Sequence, residues 1–393
     1  MSTFEKVRIK ELGRIITGNT PVSTDETNYG GKYPFIKPTD MVIDQKHVFE
    51  HDETYSEKSY QRFIRSYIPK GATGVVTIGT VGEKMFQAHE DCFTNQSVNC
   101  IISDDKYFDK DYIYYLMKFN LPKVKGANPG TASGRHHVSK SNFSSIKIDV
   151  TKHLKTQQKI AKILSNYDDL IENNLKRIKL LEESARLTYE EWFLRFRIDG
   201  KKLEIDPDTK LPFGWELVKV GSLLQRVGST AKIKSSEILE SGTNPVVDQS
   251  TDFIAGYTNE TNINQYIDNP FIVFGDHTRI LKFVNFSFAR GADGTQILIS
   301  NNSRMPQTLF YHSLIAVDLS NYHYARHFKF LKEEKIILPK EDIATKYNDR
   351  SVVIFSQVKN LRHQNQLLKE ARDILLPRLM TGMIDTNDMD IAI

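Results

Sequence analysis

Three short stretches of this 393-residue chain combine glycine-bent backbone with hydrogen-bond donors. In "IGTVGEKMFQ" (78–87), Gly79 and Gly82 permit a tight turn, and Thr80 and Lys84 have the chemistry to hold a phosphate oxygen. A plain hairpin explains the glycines equally well. In "FGDHTRILKF" (274–283), His277, Thr278, Arg279 and Lys282 gather beside a turn, and Arg290 follows shortly after. Arg279 could instead pair with Asp276 as scaffold. "GTASGRHHVSKSNF" (130–143) sets Arg135, His136, His137 and Lys140 in a small-residue loop, and Lys37 lies in "FIKPTD". Arginine engages guanine in bidentate fashion and asparagine or glutamine engages adenine, but placement in the groove decides which side chain does so.

Catalytic patterns are poor by comparison. No HExxH, GxSxG or GK[ST] ending occurs. "DNPF" (268–271) resembles the tetrapeptide of adenine methyltransferases but has one proline where the usual form has two, and it reads as a strand entrance. The adjacent histidines and His277 lack the convergent ligands a metal needs, so no metal is expected. Cys92 and Cys100 read as buried thiols of a reducing compartment.

Composition permits a polyanionic partner without requiring one: Lys and Arg number 53 against 49 Asp and Glu, for a formal charge of +4. The start lacks an apolar signal core, and no run approaches the roughly 20 apolar residues of a membrane helix. A cytoplasmic chain without membrane contact is expected.

The elements that must position these donors are written twice. "FEKVRIKEL" (4–12) and "LPFGWELVKVGSLL" (211–224) follow nearly one pattern. After each comes a β-rich segment. In the first, "YPFIKP" (33–38), "GVVTIG" (74–79) and "SVNCIIS" (97–103) predict strands, with a helix over 109–119. In the second, "NPFIVFG" (269–275), "RILKFVNFSF" (279–288) and "TQILIS" (295–300) predict strands, with a helix near 321–331.

A long helix closes each segment. Ile160, Leu164, Tyr167, Ile171, Asn174, Ile178 and Leu181 keep the alternating four-and-three spacing of a seam, and Val358, Leu361, Asn365, Leu368 and Leu375 do so again, with Arg372 in one seam slot. "LLEESAR" (180–186) returns as "LLKEAR" (367–372), about 186 positions on. At about 1.5 Å per residue the first helix is roughly 60–70 Å long, more than a globule of this size can cover. Two such helices are expected to bury their stripes against each other, with Asn174 and Asn365 fixing register. Pattern alone leaves parallel packing open.

The expected organisation is a globule at 1–150, a helix at 151–197, a linker at 198–214, a second globule at 215–340, a second helix at 341–382 and a tail at 383–393. The fold class is α+β, with two mixed α/β globules separated by two long helices. Two globules held apart by a spacer suit a periodic polymer such as DNA, whose turn is roughly 34–36 Å.

These features, with "EEWFLRFR" (190–197) and "RDILLPRLMTG" (372–382) closing the helices and "FGDHTRILKF…GADGTQIL" in the second globule, resemble the specificity subunits of type I restriction-modification systems over essentially the whole chain. The resemblance implies two target-recognition domains, each reading half of a split, asymmetric double-stranded DNA target. It implies that the helices form an antiparallel coiled coil that sets the gap and binds two methyltransferase (modification) subunits, joined by restriction/translocase subunits. Chemistry would then lie in partners using S-adenosylmethionine, ATP and Mg, with no cofactor in this non-catalytic chain. The competing readings are a coiled-coil scaffold and, with less support, a self-contained methyltransferase or nuclease.

Overall fold

The computed structural model describes residues 4–127, 136–267, 269–292, 294–321 and 326–386. Packing divides the chain into two units, Met1–Leu175 with His363–Ile393, and Lys176–Arg362. Each unit therefore holds one globule with part of both long helices.

The first unit runs through β1 (Phe4–Arg8), β2 (Gly13–Thr17), β3 (Tyr29–Ile36), β4 (Glu53–Tyr55), α1 (Glu57–Phe63), β5 (Thr73–Val76), β6 (Met85–Gln87), β7 (Phe93–Thr94) and β8 (Val98–Ser103). Then come α2 (Lys110–Gly126), α3 (Lys140–Ser145), β9 (Lys147–Thr151) and the long helix α4 (Leu154–Tyr189). One sheet has the order β2-β8-β5-β6 and a smaller one β4-β3-β7. The anticipated helix is α2, which runs past Phe119 through Pro122 because burial of Val124 against the core outweighs the local break. Its residues Tyr112–Met117 are all buried, the pattern of a helix surrounded on every side rather than amphipathic.

The second unit begins within α4, which ends in a wide turn where the Arg195 N–H donates to the Glu190 carbonyl at 2.9 Å. There follow β10 (Arg197–Ile198), β11 (Lys201–Lys202), β12 (Glu216–Lys219), β13 (Lys232–Ile233), β14 (Asn244–Val247), β15 (Gly256–Thr258), β16 (Phe271–Gly275), β17 (Leu281–Val284), β18 (Ala289–Gly291) and β19 (Thr295–Leu298). The unit closes with α5 (Gln307–Ile315), α6 (His327–Glu333), β20 (Lys335–Leu338) and the long helix α7 (Glu341–Met380). Two differences from the sequence reading stand out. "RILKFVNFSF" divides into β17 and β18, because Asn285 turns inward and donates to the Phe355 carbonyl at 3.2 Å. Helix α5 was not anticipated, since seven of its residues are buried and no polar face marks a period.

The doubled opening has a structural counterpart. In the first unit β1 pairs antiparallel with β9, the strand that feeds α4. In the second, β12 pairs antiparallel with β20, the strand that feeds α7. Each globule is thus closed on itself by its first strand just before a long helix leaves it.

The long helices pack antiparallel within each unit, since partners on α7 descend in number as those on α4 ascend. In the first unit Asp168 meets Arg372, and the Asn174 amide donates to the Asn365 amide oxygen at 2.9 Å. Asn365 in turn donates to the Ile171 carbonyl at 3.3 Å. Ile160 and Leu164 share a buried cluster with Leu375, Leu376 and Leu379. In the second unit Ile178 and Leu181 meet Val358 and Leu361, and Arg362 pairs with Glu182 at 2.7 Å. Leu368 is half-buried.

Candidate nucleic-acid interface

In the first unit, the β5–β6 turn carries Thr80 at its exposed tip. Val81 N–H donates to the Gly79 carbonyl at 2.9 Å, and Gly79 and Gly82 have φ of 86° and 67°, which only glycine adopts readily. A Cβ at Gly82 would lie 2.8 Å from the Leu121 carbonyl, so the turn must rest directly on α2. Lys84 reaches across and donates to the Pro38 carbonyl at 2.9 Å. Beside it, Lys37 pairs with Glu53 at 3.1 Å.

The segment after 135 closes over this turn. Gly79 N–H donates to the His136 carbonyl at 3.0 Å, Ile78 pairs with His137, and Val138 N–H donates to the Thr77 carbonyl at 2.8 Å. Lys140 opens α3, capped by the Ser139 hydroxyl, and is exposed. Thr80, Lys84, Lys37, His136 and Lys140 therefore come from three distant stretches to one end of the unit. Arg135 lies outside the described residues.

In the second unit, the β16–β17 turn exposes His277, Thr278 and Arg279. Arg279 has φ 62° and donates from its guanidinium to the Leu319 carbonyl at 3.1 Å. Asp276 does not serve as its partner; it accepts from the Phe328 N–H at 2.8 Å and so caps the start of α6. Burial lowers the pKa of His327 at that helix start.

Two candidates are internal supports and not surface donors. Lys282 is only 4% exposed, because its ammonium is taken by the Asp252 carbonyl and lies 3.7 Å from the Asp248 carboxylate. Burial lowers its pKa, and those two acidic residues oppose the shift. Arg290 is half-buried and donates to the Thr295 carbonyl, and burial lowers its pKa as well. A cation pointed inward by partners of its own chain has no reach for a phosphate, which alternation along a strand could not reveal.

Among the described residues no group of three or more His, Cys, Asp or Glu is placed to hold a metal ion, and no helix is long and apolar enough to cross a membrane. Cys92 and Cys100 are buried, and burial pushes the Cys100 thiol up to about 12.

Residues 1–183 match the family model described as the type I restriction modification DNA specificity domain. A type I restriction enzyme MjaIX specificity subunit from Methanocaldococcus jannaschii is 26% identical over 97% of this chain and 94% of its own length. A second protein of that organism, the MjaVIII specificity subunit, is 24% identical over 61% of this chain and 53% of its own. Over its first 183 residues the chain matches a type I restriction modification DNA specificity domain, and over nearly its whole length it is similar to a type I specificity subunit. The crystal structure of a type I restriction-modification S subunit from M. genitalium shares the fold, with TM-score 0.57 at 18% identity over 96% of each chain.

Other polar residues of this chain were not marked by the sequence pattern. Gln157, fully buried, accepts from the Asp109 N–H at 2.8 Å and donates to the Thr151 carbonyl at 2.8 Å, fastening the start of α4 to its globule. Asp168 and Glu172 are also buried on α4: Tyr115 donates to Asp168 at 2.6 Å, and Glu172 holds the His47 ring at 2.9 Å. A carboxylate one step beside a seam position reads as solvent-facing, so nothing in the spacing marks them.

Proposed function

We infer that this chain is the DNA-specificity subunit of a type I restriction-modification assembly. Each globule reads one half of a bipartite, asymmetric duplex target, and the antiparallel helices set the gap between halves. Two methyltransferase subunits dock on the helices and their flanking segments, and restriction/translocase subunits join that core in the cytoplasm. The chain itself is non-catalytic; S-adenosylmethionine, ATP and Mg belong to its partners.

One observation carries the reading most strongly. A self-closed globule followed by a long helix occurs twice, with the helices antiparallel, and each globule presents its own exposed set of donors. Phosphate contacts orient a protein on DNA while base edges specify sequence, so two different donor sets suit two unrelated half-sites. A coiled-coil scaffold would have no need of two dissimilar donor tips.

The test is adenine-methylation mapping in cells holding this chain and its methyltransferase, compared with cells lacking only this chain. Loss of one bipartite motif is expected. Unchanged modification, with the proteins expressed and assembled, would replace this reading with the scaffold.

A further inference from the structure

The two globules share one strand-pairing scheme. In the first, β3 pairs antiparallel with β4 and parallel with β7, while β5 pairs antiparallel with β6 and β8. In the second, β14 pairs antiparallel with β15 and parallel with β18, while β16 pairs antiparallel with β17 and β19. The schemes diverge between β4 and β5. There the first globule inserts α1 and a turn of 3-10 helix, Ile64–Ser66; between β15 and β16 the second globule has no helix among the described residues.

A seven-residue helix has little stability of its own, and this one is mounted on aromatic rings. Tyr60 stacks on Tyr33 of β3 at 4.3 Å, and Phe63 packs against Tyr55 of β4 at 5.9 Å. The Ser56 hydroxyl caps the start by accepting from the Ser59 N–H at 3.3 Å, and the Ser66 hydroxyl accepts from the Asn19 amide. Burying that face turns the opposite one outward, where Gln61, Arg62, Ile64 and Arg65 are all exposed.

Arg65 has no ion-pair or hydrogen-bond partner among the described residues, and Arg62 has only the ring of its neighbour Phe63, 5.4 Å away. The nearby carboxylates are engaged elsewhere. Glu57 accepts from the Gln61 amide at 2.9 Å and from the Tyr33 hydroxyl at 3.2 Å. Asp91 accepts from the Lys70 N–H at 2.9 Å and from the Tyr67 hydroxyl, and Asp25 pairs with Lys58 at 2.7 Å. Two unneutralised arginines about one helical turn apart, on a rigid mount, suit the phosphates of a duplex.

We propose that the α1 insertion is a DNA-contacting element of the first globule, and that Arg62 and Arg65 hold it on the duplex backbone. This rests on the reading given under Proposed function. A frame common to both globules cannot distinguish two unrelated half-sites; only what differs between them can. Phosphate contacts from an inserted helix fix how the rest of its globule sits on the duplex, and so which base edges it meets.

The experiment measures binding of the chain, assembled with its methyltransferase, to a fluorescein-labelled duplex carrying the motif found by methylation mapping. Anisotropy is read over a series of salt concentrations for wild type, Arg62→Gln, Arg65→Gln and the double variant. Arg14→Gln, at an exposed arginine of β2, controls for mere loss of a positive charge. Expected for the double variant is about a 10-fold or greater loss of affinity, with the slope of log affinity against log salt shallower by about 2. Each single variant should give about half of that slope change, which keeps the test available should the double variant fail to assemble. Arg14→Gln should stay within about 2-fold of wild type. Unchanged affinity and slope in the Arg62 and Arg65 variants overturn the proposal, as does an equal loss in Arg14→Gln. A wild-type assembly that binds motif and scrambled duplex alike would instead defeat the parent reading.

Discussion

Related sequence at the two helix ends is anchored by opposite chemistry. In the first unit Arg372, 0% exposed, binds Asp168 of α4 and Asp44 of the globule, while Lys118 also holds Asp44 and Tyr115 holds Asp168. Burial alone would raise the Asp44 pKa, but Lys118 and Arg372 hold it at about 2. In the second unit the helices lodge in an aromatic cluster. Phe193 packs edge-on to Tyr347 at 5.1 Å and against Trp215 at 5.6 Å, and Tyr347 lies 2.9 Å from His312 Nδ1.

The contrast is sharpest at the repeated motif itself. Arg186 ends the first copy as Arg372 ends the second, yet Arg186 is half-exposed and pairs with Glu183 at 2.6 Å and with Glu190 on its own helix. The position corresponding to Asp168 in the other copy is Ile354, an apolar residue. Without a facing carboxylate, a buried arginine there would be unpaired and prohibitively desolvated. A duplicated motif thus keeps its helix while its partners decide whether its arginine is a clamp or a surface charge.

The largest test of that contrast is paired arginine replacement. Arg372→Met strands two partly or fully buried carboxylates and should destabilise the first unit by about 3–5 kcal/mol, whereas Arg186→Met should change stability by less than about 1 kcal/mol. Urea unfolding followed by circular dichroism checks both. Equal effects would erase the distinction.

The aromatic anchor should be similarly costly to empty. Phe193→Ala is expected to lose about 3–5 kcal/mol. Trp192 and Trp215, the only two tryptophans, both lie in the second unit, so their fluorescence reports its unfolding selectively.

Acidification should separate the anchors. Burial lowers the His312 pKa to about 4, against an ordinary 6.5, with the Thr308 carbonyl opposing part of the shift. The unfolded chain binds that proton first, so this contribution, about 3 kcal/mol, is complete above pH 6.5 and disappears as pH falls toward 4. The depressed Asp44 contributes about 2 kcal/mol that persists above its ordinary value and is lost only as pH falls from about 4 toward 2. Tryptophan-detected stability should therefore weaken between pH 6.5 and 4, and His312→Phe should flatten that slope; a slope unchanged in the variant would assign it elsewhere.

The smallest effect concerns the polar seam. Replacing Asn174 and Asn365 together by leucine should shift stability by about 1 kcal/mol or less, while either single change should cost more by orphaning its buried partner. A double-mutant cycle read by urea unfolding measures the coupling.

Much of this organisation was legible because helical seams and opening strands are local, periodic patterns. The spacing around Ile171, Asn174 and Ile178 is carried by neighbours along the chain, as is the alternation in "FEKVRIKEL". The donor tips were legible in part: turns at Gly79 and Gly275 bring Thr80 and His277 to the surface, whatever the rest of the chain does.

What sequence alone determined was two globules, two long helices and the residues that could seal them, since propensity and periodicity act over a few turns. Tertiary structure alone decided that the helices run antiparallel, that Lys282 and Arg290 point inward, that Asp168 is buried and that Gln249 packs against Gly275 and Gly294. Those outcomes depend on partners far away in the chain. A charged side chain's direction is set by which opposite charge folding brings within reach, and neither spacing nor composition records that.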